Sequence, residues 1–193
     1  MRLPLFPLDT VLFPGCILDL QIFEARYLDM VSQCLKAGHG FGVVRILEGR
    51  EVGTAPAAFA AIGCEALIRD WQQLANGLLG IRVEGGRRFD VQSSEVLRDQ
   101  LTVAQVSWRD EAAERPLAGQ HADLAVLLEA LGQHPMVESL GMARPAAGQR
   151  ALASQLAYLL PFEAEQKIAL LGLDEPEVQL EQIQALLERL QEG

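Results

Sequence analysis

A change of hydrophobic period near residue 110 constrains this chain more than any other feature. Before it, apolar residues come in short runs broken by Gly, Pro and Asn-Gly; after it, they recur every three or four positions. Short or alternating runs mark strands and a 3.6-residue recurrence marks helices, so the pattern predicts an α+β chain, sheet first and helices second. With 193 residues, 50% of them hydrophobic and 22% charged, there is material for one large core or two small ones.

The opening LPLFPL is apolar and extended, and Pro4 and Pro7, which lack N–H donors, predict an edge strand. Gly15 to Leu20 resumes the extended run after Pro14-Gly15. From Glu24 to Ala37 the period becomes helical. Tyr27, Leu28, Val31, Cys34 and Leu35 share one face, Arg26, Asp29, Gln33 and Lys36 the other, and Gly38 is the stop. Phe41–Leu47 and Phe59–Arg69 read as strands, with Gly63 a bulge or a point of close approach. Asn76-Gly77 predicts a type I′ hairpin. Leu79, Ile81 and Val83 then alternate with polar or small residues. Gly85-Gly86 is expected to reverse the chain into a strand with Phe89 and Val91 inward and Arg88 outward. Leu101 and Val103 share one phase and Val106 and Trp108 the other, which requires a bulge or a change of buried face. Strands this closely spaced predict a mainly antiparallel β-barrel or strongly curled sheet over residues 1–115.

Residues 116–193 read as an α-helical bundle. Leu124, Leu127, Leu128 and Leu131 mark one helix, and Leu152, Leu156, Leu159 and Leu160 a second that ends at Pro161. Glu163–Leu171 forms a short helix stopped by Gly172. The last helix has Asp174 as its expected N-cap and a stripe of Leu180, Ile183, Leu187 and Leu190.

The charge pattern excludes several functions. Sixteen Lys and Arg against 26 Asp and Glu leave −10, which opposes the phosphate attraction that nucleic-acid binders rely on; no aromatic platform for bases is evident either. Cys16, Cys34 and Cys64 are too few and too widely spaced for a disulfide framework or a paired-Cys zinc site, so reduced thiols in the cytoplasm are expected. The proline-broken N-terminus does not read as a signal peptide, and no run approaches the ~20 apolar residues of a membrane span. GxxxxGK[ST], GxGxxG after a strand and GxSxG are all absent, and no His, Cys or carboxylate spacing suggests a metal site. No catalytic, cofactor or metal residue is therefore assigned, and His39 and Cys34 are given no role.

Two groups of binding residues remain. Arg82, Arg87 and Arg88 are candidates for holding an anion, because guanidinium offers a bidentate fork; the competing reading is cross-strand pairing with Glu84 and Asp90. Leu5, Phe6 and Phe13 are either core or, on a strand that prolines leave at an edge, candidate contacts for an added peptide strand. In IFEARY, Glu24 is expected to complement the positive helix end and Tyr27 to pack inward.

The segments PLFPLDTVLFPG, IFEARYLDMV, FGVV, EVG, GCEALIRDW, GLLGIRVEGGRRFDV and LAYLLPFEAEQKIALLGLDEPEVQLEQI together resemble the N-terminal substrate-recognition domain of the Lon ATP-dependent protease. The resemblance runs from Leu3 to about Leu190. It implies a PUA-like β-barrel followed by a helical bundle, and a non-catalytic protein- or peptide-binding module. Its expected partners are unfolded or extended polypeptide clients and, in an adaptor role, a separate protease. No catalytic residue carries over, since neither the Walker A loop nor the Ser-Lys motif of full-length Lon occurs. An RNA-binding PUA-like module is the alternative reading, and an enzyme with an unrecognised site the third.

Overall fold

The computed structural model describes residues 1–192. The chain divides into two compact units, Met1–Arg109 and Asp110–Gly193. The first contains β1 (Arg2–Leu8), β2 (Ile17–Ile22), α1 (Ala25–Ala37), β3 (Phe41–Glu48), β4 (Ala58–Gln73), β5 (Leu79–Val96) and β6 (Thr102–Trp108). The strands form one mixed sheet in the order β2-β5-β4-β3-β1-β6. Only the β1–β3 pairing is parallel among those described. β5 also pairs with β6, so pairing runs from β5 through β4, β3, β1 and β6 and returns to β5, with β2 added outside β5.

β1 is therefore not an edge strand. Residues 2–5 pair with β6 and residues 5–8 with β3, the strand changing partner at Leu5. Pro4 lies in the half registered against β6 and Pro7 in the half registered against β3. Each proline thus has a side with no register partner, where a missing N–H costs nothing.

Gly85-Gly86 does not reverse the chain either. β5 runs straight through it, and the register shift between Cys64 and Ala66 puts an extra β5 residue opposite β4 there. The glycine is needed for close approach instead. Gly85 N–H donates to Cys16 O at 2.8 Å and Gly15 N–H to Gly85 O at 2.7 Å, and a Cβ on Gly85 would overlap the Phe13 carbonyl oxygen. Gly63 has the same logic, since Phe89 Cζ would lie 2.5 Å from a Cβ placed there. Phe89 can thus sit at the centre of a core of Leu3, Leu5, Val44, Ala104 and Val106, with Trp108 edge-on at 5.9 Å.

The β4–β5 turn differs in type from the expected one. Gly77 N–H bonds Leu74 O at 2.9 Å, and Gly77 has φ +82° whereas Asn76 does not enter the positive-φ region. This is a longer loop closed by one left-handed residue. The phase change in β6 is matched by a bulge in its partner, between Val91 and Ser93 of β5.

α1 buries Tyr27, Met30, Val31 and Cys34, but also Arg26, while Leu28 and Leu35 are 39% and 45% exposed. The apolar stripe is centred one position away from where composition alone places it. Arg88 is buried, with 3% exposure, next to Phe89 at 0%, so simple in-out alternation does not hold at this point of β5.

The second unit contains α2 (Ala122–Gly132), α3 (Pro135–Ser139), α4 (Gln149–Leu159), α5 (Ala164–Leu171) and α6 (Pro176–Glu192), preceded by a 3₁₀ turn at Gly119–His121. α3 is too short to show a periodic stripe; its signal is local, His134 Nδ1 accepting Met136 N–H with Pro135 at the first helical position. α5 opens with a capping box between Glu163 and Gln166. α4 is capped from a distance: the Glu114 carboxylate accepts Arg150 N–H at 2.8 Å and Ala151 N–H at 3.1 Å. Glu114→Ala should therefore cost about 1–2 kcal/mol, the loss typical of a removed cap, as a lower helical melting temperature by circular dichroism. Glu114→Gln should recover part of it.

Candidate functional site

The open margin of the sheet is β2, which among the described residues is registered against β5 alone. Two cross-strand rows share one face of the β2-β5-β4 layer, Asp19–Arg82–Asp70 and Gln21–Gly80–Gln72; the row Leu20–Ile81–Trp71 lies on the other. Arg82 grips Asp19 bidentately, with Nε and Nη2 each 2.8 Å from a carboxylate oxygen. This layer lines a hollow of about 330 Å³, which includes Asp19, Gln21, Asp70, Trp71, Leu74 and Arg82.

A second hollow of about 230 Å³ shares Asp19, Leu20 and Gln21 with the first and reaches Phe6, Phe23, Glu24, Tyr27, Glu51 and Val52. Phe23, Val52 and Trp71 are 51%, 55% and 61% exposed. A strand margin flanked by two hollows and exposed large side chains offers backbone hydrogen bonds together with apolar contact.

Of the expected peptide contacts, Leu5 and Phe13 are fully buried at 0% exposure and belong to the core. Phe6 forms part of the second hollow's lining, stacked on Tyr27 with ring centroids 3.9 Å apart and 6° between planes. The margin lies at β2 rather than β1. Its signal in the sequence was an ordinary half-polar run, ILDLQI, with nothing to mark it as outermost.

The three arginines do not converge on one anion. Arg82 turns to Asp19, Arg87 lies 4.1 Å over the Trp108 ring and 3.8 Å from Glu65, and Arg88 is buried. The pairing expected with Glu84 and Asp90 is made by other residues, Arg69 at 2.7 Å and Arg109 at 3.1 Å.

IFEARY works as a clamp. Glu24 does not cap α1 with its side chain; it meets Arg26 Nη2 at 3.3 Å and accepts Gly53 N–H at 3.2 Å. Arg26, 5% exposed, donates Nη1 to Gln100 O at 2.7 Å and lies 4.6 Å from the Tyr27 ring centroid. Gln100, at φ +71°, in turn accepts Ala55 N–H on its side chain at 3.1 Å. The helix start, the loop after β3 and the β5–β6 turn are tied together beside the second hollow.

Burial governs the titratable groups here. It pushes the Tyr27 phenol up to about 12 and the Cys34 thiol up to about 11, from 10.0 and 9.0. Cys34 Sγ also points at Gly40 O at 3.5 Å, the environment of an inert thiol. In both, folding favours the neutral form. Their contribution to stability is fully present below about pH 9 and is lost between pH 9 and 12, as the unfolded groups ionise first. The urea midpoint should be flat from pH 7 to 8.5 and fall above 9, and Tyr27→Phe should flatten the fall. A midpoint unchanged to pH 11 in the parent chain would contradict it.

Among the described residues, no group of three or more His, Cys, Asp or Glu is placed to hold a metal ion, and no helix is long and apolar enough to cross a membrane. Residues 2–189 match the family described as the ATP-dependent protease La (LON) substrate-binding domain. The chain belongs to the Lon substrate-binding domain family. This Lon substrate-binding domain is similar to the Lon N-terminal domain protein from Xanthomonas campestris, with 38% identity and a TM-score of 0.76 over 96% of this chain and 98% of that one. It also shares its fold with the N-terminal domain of Mycobacterium avium complex Lon protease, with 16% identity and a TM-score of 0.60 over 95% and 96% of the two chains. No curated protein matches it.

Proposed function

We propose that this Lon substrate-binding domain is a non-catalytic module of PUA-like barrel type that captures extended, apolar-rich polypeptide along β2. The observation that carries the reading is the strand margin itself, lying between two hollows with Phe23, Val52 and Trp71 exposed around it. An unfolded client supplies backbone N–H and C=O groups to pair with β2 and side chains to occupy the hollows on alternate sides. As an adaptor in the cytoplasm, the domain would hold such a client for a separate protease. Ordering a flexible client costs several kcal/mol, so a dissociation constant of about 1–100 μM is expected. Carboxylates around the margin oppose phosphate, which disfavours the RNA-binding alternative.

Fluorescence anisotropy with a labelled client in unfolded and folded forms tests this. Binding of the unfolded form alone is expected. Trp71→Ala should weaken it several-fold, and N-methylation of alternate peptide amides should weaken a short client tenfold or more. Equal affinity for both forms, or none at hundreds of micromolar, would remove the reading.

A further inference from the structure

The walls of the second hollow differ in how they are held, and the difference bears on how a client is retained, an inference that rests on the polypeptide-capture reading. Phe6, Leu20 and Tyr27 come from β1, β2 and α1, which are fixed by sheet pairing or by a buried helix face. Glu51 and Val52 come from the loop after β3. The β3–β4 register ends at Glu48↔Ala58, and none of residues 49–57 is buried. A Cβ on Gly49 would lie 2.8 Å from Pro56 Cα, so the ends of the loop meet in a tight neck, while Gly53 (φ +97°) has open space where a Cβ would stand. Among the described residues, three solvent-exposed hydrogen bonds tie the part beyond the neck to other elements. Asp9 N–H donates to Glu51 Oε1 at 2.7 Å, Gly53 N–H to Glu24 Oε2 at 3.2 Å and Ala55 N–H to Gln100 Oε1 at 3.1 Å. A segment with no buried residue and exposed hydrogen bonds opens far more easily than the sheet beside it.

Two of these bonds share one centre. Arg26 meets Glu24 at 3.3 Å and donates to Gln100 O at 2.7 Å, so the acceptors for Gly53 and Ala55 are both placed by the same buried guanidinium. Gln100 holds φ +71°, a conformation costly for a residue with a side chain, and from there its amide reaches the loop. We propose that residues 49–57 are a strap that closes on a client side chain in the second hollow, and that Gln100 is a positioning residue that keeps the strap at the mouth. Val52 is 55% exposed in the free chain, and an apolar side chain entering the hollow gives it a surface to cover. Holding the strap nearby lowers the ordering cost of closure. The client pairs with β2 first, so the strap acts on its release and not on its arrival.

Hydrogen exchange of the full chain with and without a short labelled peptide of alternating Leu and Gln, together with stopped-flow anisotropy, provides the test. Residues 50–56 should exchange faster than β3 in the free chain and become protected when the peptide binds. Gln100→Gly keeps the carbonyl that Arg26 uses and suits φ +71°, so the fold is retained while the bond to Ala55 is lost. It should speed exchange at 50–56 and raise the dissociation rate about fivefold, with the association rate within about twofold of the parent. Gln100→Glu keeps an acceptor oxygen at the same reach and should restore both. Val52→Ser alters an exposed side chain and should raise the dissociation rate while leaving free-state exchange unchanged. Protection of β2 without protection of 50–56, or unchanged dissociation in both Gln100→Gly and Val52→Ser, overturns the strap while polypeptide capture stands. Gln100→Glu behaving as Gln100→Gly overturns the assignment to the Ala55 bond. Failure of the peptide to bind at hundreds of micromolar overturns the capture reading as well.

Discussion

Replacing Arg26 by alanine is expected to destabilise the first unit by about 3 kcal/mol, the scale on which breaking a buried charge contact acts. Its guanidinium donates to the Gln100 carbonyl, meets Glu24 and covers the Tyr27 ring, and it is 5% exposed. Truncation leaves the Gln100 oxygen short of a donor and Glu24 short of its counter-charge, besides opening a gap against the ring. Both tryptophans, Trp71 and Trp108, lie in this unit, so urea unfolding followed by Trp fluorescence reads it directly. A midpoint lowered by about 1 M or more is expected with an m-value of roughly 2–3 kcal/mol/M. Arg26→Lys should recover little, because one ammonium cannot cover the ring and reach both oxygens as a planar fork does. A loss under 1 kcal/mol for Arg26→Ala would show that Gln100 and Glu24 find other partners at little cost.

Gly85→Ala should be at least as damaging, about 3 kcal/mol or more. The obstacle to its Cβ is the Phe13 carbonyl, a backbone group held by the hydrogen bonds that join Gly85 to Gly15 and Cys16. Overpacking costs typically 1–3 kcal/mol where side chains yield, and more where backbone must move. Gly86→Ala is the control next door. There the nearest atoms are the Glu65 carboxylate at 3.0 Å and Leu67 side-chain carbons at 3.2 and 3.4 Å, which can turn aside, so its loss should stay under about 1 kcal/mol. The same urea titration compares the two. Because the Phe13–Cys16 segment leads directly into β2, Gly85→Ala should also weaken client binding more than its stability loss alone accounts for. Equal stability of the two alanine variants would mean that the close approach is not rigid.

Sheet first and helices second was legible, apart from the reversal expected at Gly85-Gly86 and the short α3, because most elements depend on a local period or a local stop. Alternation at Leu79, Ile81 and Val83, the helical stripe through Tyr27, Val31 and Cys34, and the stops at Gly38, Pro161 and Gly172 all act within a few residues. The family was legible for a related reason: its motifs are contiguous segments whose order and spacing survive in the chain, and residues 2–189 carry them.

Strand neighbours were not legible. Pro4 and Pro7 suggest an edge to any local reading, yet β1 lies between β3 and β6; only a change of partner at Leu5 makes the prolines compatible with that place. Gly85-Gly86 has the composition of a turn and serves instead as a passage for the Phe13–Cys16 backbone, a contact about seventy residues away in sequence. The candidate contacts followed the misplaced edge, so Leu5 and Phe13 fell in the core while the margin formed at β2. A strand's own residues determine that it is extended and which faces differ. Which strand ends up outermost is decided by long-range pairing, which the tertiary structure alone displays.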